Sequence, residues 1–246
     1  MKASFTEGSG KPRGTDHLPR RRGWGASAGS VALAALLAAG CAAVPTASRE
    51  TPIAAESIPF AAQDLGKPPS GFTTALTGGG GPVSWVVREQ PGAPGGRPVL
   101  VQESAEDTSY RFPLCILEKT VARDVAVEVK YKAISGKVDQ AGGIVLRYQP
   151  ENYYIARANA LEDNVDLFKV VRGKRSRVEE VPVKVTVGAW HTLRFEARGP
   201  RLKVLFDGRT VIEKEDTTFP GQGKVGLWTK ADSVSAFTDF KIEPAP

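Results

Sequence analysis

The sequence has very few of the side chains that bind transition metals or serve as nucleophiles. Its 246 residues include two histidines and two cysteines, and only Cys115 and His191 lie beyond residue 41. This scarcity excludes a disulfide framework and a zinc site built from several thiolates or imidazoles. Serine and cysteine hydrolases are also disfavoured, because their nucleophile needs a neighbouring base and no Gly-x-Ser-x-Gly motif is present.

The two isolated residues themselves fit structural roles better than chemical ones. Cys115 lies in the apolar run RFPLCILEK, which predicts a buried and inert thiol. His191 alternates with Leu193 and Phe195, which favours a packed or capping histidine over a general base.

The chain also lacks an excess of charge once its first 40 residues are set aside. Six of the 33 Lys and Arg residues lie in that segment, but only two of the 27 Asp and Glu residues do. The formal charge of +6 therefore belongs mostly to the N-terminal segment. The remaining chain has no basic surplus that would indicate a nucleic-acid partner.

Long hydrophobic runs are missing except for one short run after the arginines at 20–22. The stretch RRRGWGASAGSVALAALLAAGC has the basic head and small-residue end of a secretory signal peptide, which we assign to residues 1–40. Its last five residues resemble a bacterial lipobox, in which Cys41 becomes lipid-modified. Plain secretion with Cys41 unmodified and an uncleaved anchor stay open, as does export by the general or the twin-arginine route.

Residues 41–58 are rich in Ala, Pro, Thr, Ser and Glu and lack apolar periodicity. This composition predicts a flexible tether between the lipid anchor and a domain at 59–246. We expect a monomer in the bacterial cell envelope, attached to the membrane through Cys41 and facing the periplasm or the cell exterior.

The segment from about residue 60 onward predicts strands separated by turns. DVAVEVKYKA, at 124–133, alternates apolar and polar side chains, as a strand with one buried face does. Asp207-Gly208 between apolar runs indicates a tight hairpin, and GKRSR at 173–177 indicates a charged hairpin tip. No stretch sustains a helical period. The fold class is therefore all-β, with one antiparallel β-sandwich.

The stretch at 139–175 resembles a concanavalin A-like jelly-roll domain of the lectin and glucanase superfamily, which includes laminin G-like domains. More narrowly, it is similar to bacterial lipoproteins related to 3-keto-disaccharide hydrolases. The supporting pieces are Gly142-Gly143-Ile144 running into Arg147, Asn152-Tyr153-Tyr154 running into Arg157 and Asn159, Trp190-His191-Thr192-Leu193, Asp207-Gly208 and the closing GKVGLWTKADSVSAFTDF. The resemblance implies a carbohydrate ligand or an activity on 3-keto-glycosides.

Side chains two apart on a strand share a face, so neighbouring strands can bring several polar groups onto one surface. Guanidinium, amide and carboxylate groups beside aromatic rings suit sugars, which offer hydroxyl groups and an apolar ring face. We therefore predict a carbohydrate-binding surface without catalysis, formed by Arg147, Tyr153, Arg157, Asn159, Asp166, Trp228 and Lys230.

Three other interpretations stay open. In the first, the arginines pair with nearby acids on a half-exposed sheet, which fits a structural envelope module without a small ligand. A 3-keto-glycoside hydrolase or lyase would need one base, Asp166 or Glu162, with Arg157 or a metal as electrophile. Ordinary endoglucanase chemistry is disfavoured, because the motif Glu-x-Asp-x-x-Glu is absent.

No cofactor is predicted, although calcium is compatible with oxygen ligands from loops. The candidate ligands are Asp64, Asp139, Asp232 and Asp239, and the alternative for each is a solvated turn residue.

Overall fold

The computed structural model describes residues 53–246. The predicted signal peptide, Cys41 and the first part of the predicted tether lie outside the described residues. In the described part, fifteen strands form two antiparallel sheets, and two single turns of 3-10 helix cover Ala62–Asp64 and Pro94–Gly96. No helix in this part is long and apolar enough to cross a membrane.

The first sheet has eight strands in the order β13-β12-β11-β6-β15-β4-β3, with β1 also paired to β15. The second has seven strands in the order β10-β9-β8-β7-β14-β5-β2. The strands of the first sheet are β1 (Glu56–Ile58), β3 (Trp85–Arg88), β4 (Val99–Gln102), β6 (Val125–Ser135), β11 (His191–Arg198), β12 (Arg201–Phe206), β13 (Arg209–Glu215) and β15 (Val234–Glu243). Those of the second are β2 (Phe72–Gly78), β5 (Arg111–Ala122), β7 (Ala141–Gln149), β8 (Asn152–Asn159), β9 (Asn164–Val171), β10 (Lys174–Pro182) and β14 (Gly223–Thr229).

The prediction of one all-β sandwich is confirmed. Alternation along β6 places Val125, Val127, Val129 and Tyr131 in the core between the sheets, as the sequence pattern indicates. The folded part begins slightly earlier than residue 59, because β1 pairs with Phe240–Ile242 of β15. The last residues assigned to the flexible tether therefore belong to a sheet.

The second sheet is buried on both of its faces, which the sequence pattern does not indicate. Its inner face supplies Ile144, Tyr154 and Leu167 to the core between the sheets. Its outer face carries a separate apolar cluster, which we call the outer cluster. The buried members of the outer cluster are Phe112, Leu114, Ile116, Ala141, Val145, Tyr153, Ile155, Phe168, Val170 and Trp228.

The outer cluster is covered because the second sheet curls strongly. The Tyr110 hydroxyl donates a hydrogen bond to the Gly173 carbonyl at 3.0 Å and accepts one from the Arg175 amide at 2.7 Å. Tyr110 precedes β5, whereas Gly173 and Arg175 flank the start of β10, and four strands lie between β5 and β10 in the sheet. This contact brings the β9–β10 turn over the face that carries Phe112 and Trp228.

Beyond Leu146, a bulge in β7 reverses the sheet face on which each side chain is predicted to lie. Arg147 has a left-handed φ of 53°, and the pairing of β7 with β8 shifts between Leu146 and Gln149. Tyr148, expected on the same face as Leu146, packs instead against the outer cluster. An extra residue in one strand reverses the faces that later side chains occupy, and no local motif announces it.

The interior at Gly142 has no room for a side chain, because a Cβ there would overlap the ring of Tyr131. We expect Gly142→Ala to reduce the free energy of unfolding by about 1–3 kcal/mol, since a well-packed core resists added volume. Gly221→Ala is the matched control, because nothing lies within 4 Å of the added Cβ. Chemical denaturation measures both, and equal midpoints would contradict the packing described.

A polar contact also joins the two sheets near Asp216, which follows β13. Its carboxylate accepts a hydrogen bond from the Tyr154 hydroxyl at 2.7 Å and pairs with Lys169 Nζ at 2.7 Å. Burial opposes ionisation of Asp216, but hydrogen bonds from Lys169, Thr218 and Tyr154 outweigh it and lower its pKa from 3.8 to about 2. A carboxyl group whose pKa is depressed on folding stabilises the fold above its unfolded pKa.

We therefore expect this contribution to be lost as the pH falls from about 4 to about 2. Asp216→Asn should lower the free energy of unfolding at neutral pH by about 1–2 kcal/mol. The variant should also lose about that much less stability between pH 4 and pH 2 than the unaltered chain does. Denaturation curves at several pH values test this, with the exposed Asp107→Asn as the control. An unchanged acid profile in Asp216→Asn would contradict the assignment.

Candidate functional site

A buried guanidinium joins three carboxylates at one end of the outer cluster. Arg157 Nε and Nη2 donate to Asp166 Oδ2 at 2.9 and 2.6 Å. Nη2 also donates to Glu162 Oε2 at 2.5 Å, and Nη1 lies 3.5 Å from Asp139 Oδ1. Asp139 also pairs with Lys230. We call these five residues the Arg157 network.

Two paired strands and the segments beside them position the network. Arg157 and Asp166 face each other directly across β8 and β9, because the pairing places them in register. Glu162 lies in the turn between those strands, Asp139 lies two residues before β7, and Lys230 directly follows β14. The Asn159 amide holds Asp139 in place with a hydrogen bond of 3.0 Å.

The network continues onto β10. Arg177 Nε pairs with Asp166 Oδ1 at 2.7 Å, and Arg177 also pairs with Glu180. Both oxygens of Asp166 therefore face a guanidinium. The amide of Asn164 donates to Glu162 Oε2 at 3.2 Å and to Glu180 Oε1 at 3.0 Å, which links the two exposed acids.

Three aromatic rings of the outer cluster lie beside the network, and the Arg175 guanidinium lies over them. The Arg175 guanidinium lies 4.3 Å from the Phe168 ring centroid, 4.8 Å from that of Phe112 and 5.8 Å from that of Trp228. Phe112 and Trp228 are themselves stacked at 5.5 Å. The guanidinium groups of Arg157 and Arg177 also lie 5.3 and 5.5 Å from the Phe168 ring centroid, so three cations contact this ring.

Two donors in this region have no hydrogen-bond partner among the residues that the structure describes. They are Trp228 Nε1 and Arg175 Nη1, both on the outer face of the second sheet. Buried donors are almost always satisfied in folded proteins. These buried groups therefore have hydrogen-bonding capacity that no residue in the range 53–246 uses.

Burial and pairing shift the pKa values of the network in different directions. Burial raises the pKa of Asp166, although Arg157 and Arg177 oppose the shift. Burial also opposes ionisation of Glu162, but the charge of Arg157 outweighs it and lowers the pKa of Glu162. Burial and the nearby Arg157 lower the pKa of Arg175. Glu162 is therefore ionised at neutral pH.

Solvent reaches the network from one side only. The side chains of Glu162 and Arg177 are 41% and 48% exposed, and that of Lys230 is 14% exposed. Arg157 and Asp166 are almost fully buried. A ligand arriving from solvent would therefore meet Glu162, Arg177 and Lys230 first, while Arg157 holds the acids in position.

The structure brings six of the seven predicted site residues to this face. Arg157, Asp166 and Lys230 belong to the network, Asn159 supports it, and Trp228 and Tyr153 belong to the outer cluster. Their role in binding a ligand stays a prediction. The predicted alternative of acid pairing is also present, because Arg157 contacts three carboxylates.

Arg147 lies elsewhere, so its predicted alignment with Arg157 is wrong. Its guanidinium donates to the backbone carbonyls of Arg123, Phe219 and Gly199 at 3.0, 2.7 and 2.6 Å. The bulge at this position directs the side chain to the end of the sandwich, where it joins three loops.

Sequence reasoning missed Asp139, Arg175 and Arg177 as parts of the site. The sequence offers Asp139 only as a candidate calcium ligand, and the segment GKRSR predicts a charged hairpin tip. The two arginines do stand two apart in the sequence, as residues on one strand face do. Only the curl of the second sheet brings them over the outer cluster.

The remaining candidates for chemistry have structural partners. Burial raises the pKa of the Cys115 thiol, which lies in the core. His191 Nδ1 lies 2.8 Å from Asp207, Nε2 accepts a hydrogen bond from the Thr186 amide at 3.1 Å, and the ring stacks on Phe206. These contacts confirm that His191 is packed and that the thiol is buried.

Within residues 53–246, no group of three or more His, Cys, Asp or Glu residues could hold a metal ion. All four candidate calcium ligands have other partners here. Asp139 belongs to the network, and Asp239 pairs with Arg97 and Lys130. Asp64 accepts hydrogen bonds from Ser70, and Asp232 accepts them from the backbone amides of residues 137–139.

The fold and this face define a galectin- or concanavalin-like β-sandwich. The carbohydrate binding module CBM66 from Bacillus subtilis has a TM-score of 0.56 and 25% identity, covering 70% of this chain and 95% of that one. A Bacillus subtilis protein of unknown function with a galectin-like fold has a TM-score of 0.53 and 11% identity, covering 79% of this chain and 98% of that one.

In sequence, the chain is similar to the levanase of Bacillus subtilis (strain 168). The two are 31% identical over 131 residues, which are 52% of this chain and 19% of the levanase. The chain thus spans about a fifth of that enzyme's length. No family model matches the chain. These findings support the sandwich and its likeness to carbohydrate-binding modules, and they do not support the narrower resemblance to 3-keto-disaccharide hydrolases.

Proposed function

We propose that this domain binds carbohydrate, without catalysis, at the Arg157 network and the adjoining outer cluster. The observation that carries the proposal is the buried Arg157, which fixes three carboxylates beside aromatic rings and unpartnered donors. Sugar hydroxyl groups both donate and accept hydrogen bonds, so a mixture of carboxylates and cations suits them.

The arrangement is preorganised for such a ligand. Each carboxylate of the network is held by Arg157, and Lys230 is held by Asp139, so little side-chain freedom remains to be lost on binding. Glu162 supplies accessible acceptor atoms, whereas Arg177 and Lys230 supply accessible donors. The four cations Arg157, Arg175, Arg177 and Lys230 face the four acids Asp139, Glu162, Asp166 and Glu180, which favours a neutral ligand.

We further propose that the ligand is levan or a related fructan. The support is the 31% identity to a protein named levanase and the 25% identity to a carbohydrate-binding module from the same species. The shared region is a small part of the levanase, which fits an accessory binding module better than a catalytic domain.

Binding is better supported than hydrolysis or lyase chemistry. Asp166, one of the two candidate bases, has a guanidinium at each oxygen. Glu162, the other, has a lowered pKa and is therefore a weak base. Arg157, the candidate electrophile, is itself paired with three acids.

Isothermal titration of the chain with levan, inulin and cellulose tests the proposal. We expect levan binding, and we expect Glu162→Gln and Lys230→Met each to weaken it about tenfold or more, because each removes a charged hydrogen-bonding group. Glu162→Gln keeps the shape of the side chain and preserves the Asn164 contact in part. Thermal melts report whether each variant folds.

Lys184→Met is the matched control for Lys230→Met, because Lys184 is 76% exposed and pairs only with the surface Asp163. It should bind levan as the unaltered chain does. Absence of binding to every polysaccharide would contradict the carbohydrate proposal. Binding to inulin or cellulose alone would contradict the levan assignment.

We also propose that the chain is an exported lipoprotein that presents this domain at the cell envelope. The support is the sequence RRRGWGASAGSVALAALLAAGC and the short apolar run that ends at Cys41. Attachment near the membrane would hold the binding domain close to polysaccharide at the cell surface.

Metabolic labelling with a fatty-acid analogue in a bacterial host tests the lipid anchor. We expect label on the full chain and none on Cys41→Ser, while Cys115→Ser keeps the label because Cys115 is buried in the core. Equal labelling of Cys41→Ser and the unaltered chain would contradict modification at Cys41.

A further inference from the structure

A cavity lies on the same sheet, at the opposite end of the strands from the Arg157 network. Its volume is about 530 Å³. We call it the bulge pocket. It is lined by Thr73, Glu118, Val121, Tyr148, Gln149, Pro150, Gln222, Gly223 and Lys224. A cavity of this volume lies within the range of small-molecule sites.

Irregular pairing in three adjacent strands creates the bulge pocket. On β5, Leu117 pairs with Val225 and Val121 pairs with Lys224, so three residues of β5 bulge out between consecutive residues of β14. On β7, the left-handed Arg147 turns Tyr148 toward the same face. Bulges of this kind redirect side chains and are frequent beside functional sites.

The arrangement depends on close backbone contact at Gly223. A Cβ at this position would collide with the backbone of Arg147. Arg147 is in turn held by hydrogen bonds to three carbonyls, so its unusual φ is enforced by the surrounding loops. The pocket is therefore a preformed feature of the fold.

The lining is chemically mixed and carries no net charge. Tyr148 is half-buried and packs against Tyr153 with ring centroids 5.5 Å apart. Glu118 pairs with Lys224 Nζ at 2.5 Å and accepts a hydrogen bond from Thr73. Because the only acid and the only cation of the lining neutralise each other, an ion is a poor occupant.

Two features of the lining select the occupant more closely. The Tyr148 hydroxyl makes no hydrogen bond within the part of the chain that the structure describes. Burial and the charge of Glu118 raise its pKa, so it stays a neutral donor. Val121, which is 48% exposed, and Pro150 supply apolar surface, while Gln149 and Gln222 supply exposed amides.

We propose that the bulge pocket is a second carbohydrate subsite, which holds a sugar ring of the same fructan against Tyr148. A neutral ligand with hydroxyl groups and an apolar ring face matches a lining of one aromatic ring, apolar side chains, amides and a neutralised ion pair. The inference rests on the proposed function of the Arg157 network.

The two subsites lie on one sheet face at a separation that a polymer can span. Lys224 and Lys230 are six residues apart at the two ends of β14, which corresponds to about 20 Å of extended strand. Tyr153 packs against Tyr148 at the Lys224 end, and Trp228 pairs with Gly143 near the Lys230 end. A fructan chain engaged at both ends gains affinity because its second contact is intramolecular.

Blocking the pocket with a larger side chain tests the inference without removing any packed group. We expect Val121→Trp to weaken levan binding about tenfold, because the second contact is lost. Val187→Trp is the matched control, since Val187 is also an exposed valine, at 49%, and it does not line the pocket. Tyr148→Ala provides a second variant, and thermal melts verify folding of each.

A combined variant separates the two subsites. Lys230→Met should retain weak levan binding through the bulge pocket, and adding Val121→Trp should remove it. The inference alone is overturned if Val121→Trp binds levan as Val187→Trp does, or if Lys230→Met abolishes all binding. If the unaltered chain binds no levan, the proposed function and the second subsite fail together.

Discussion

The buried charge of Arg157 is the constraint on which the candidate site depends. A guanidinium removed from water is costly unless acids surround it, and removing one partner of such a group leaves an uncompensated charge. Here the acids come from a neighbouring strand, from the turn after β8 and from the loop before β7. Pairing therefore draws three elements together and fixes Glu162, the one carboxylate of the network that faces solvent. The same pairing that satisfies the cation orders the polar groups at this end of the sheet.

Because the second sheet curls, the Arg157 network lies beside the outer cluster on one continuous face. Because the β9–β10 turn reaches Tyr110, Arg175 lies over the rings of Phe112, Phe168 and Trp228. A flat sheet would expose those rings to water. The outer cluster is therefore a second apolar layer with charged groups at one end and a cavity at the other. The buried apolar layer distinguishes this face from an ordinary solvated sheet face. It also explains why strands β7 to β9 carry apolar side chains on both faces.

Arg147 has a structural role, although its position in β7 predicts a ligand-binding arginine. Its left-handed backbone and its three carbonyl contacts join loops at the end of the sandwich. The bulge that it occupies reverses the parity of β7, so that Tyr148 reaches the outer face and Arg147 does not. The bulge thus directs the Arg147 side chain away from the Arg157 network and turns Tyr148 toward the bulge pocket. Strain at this position is stabilised by the surrounding backbone.

Local sequence patterns suffice to predict the all-β sandwich, the buried Cys115 and the packed His191, because alternation of apolar residues and turn signals are local properties. Strand periodicity also predicts that Arg157, Asn159 and Asp166 share one face, since it links residues close in sequence. The other features of the site depend on contacts between distant parts of the chain. The strand register at Arg147 depends on a bulge. The contacts of Arg175 with Trp228 and of Asp139 with Lys230 join residues that are distant in sequence. Such contacts follow from sheet curvature and long-range packing, which no local pattern encodes.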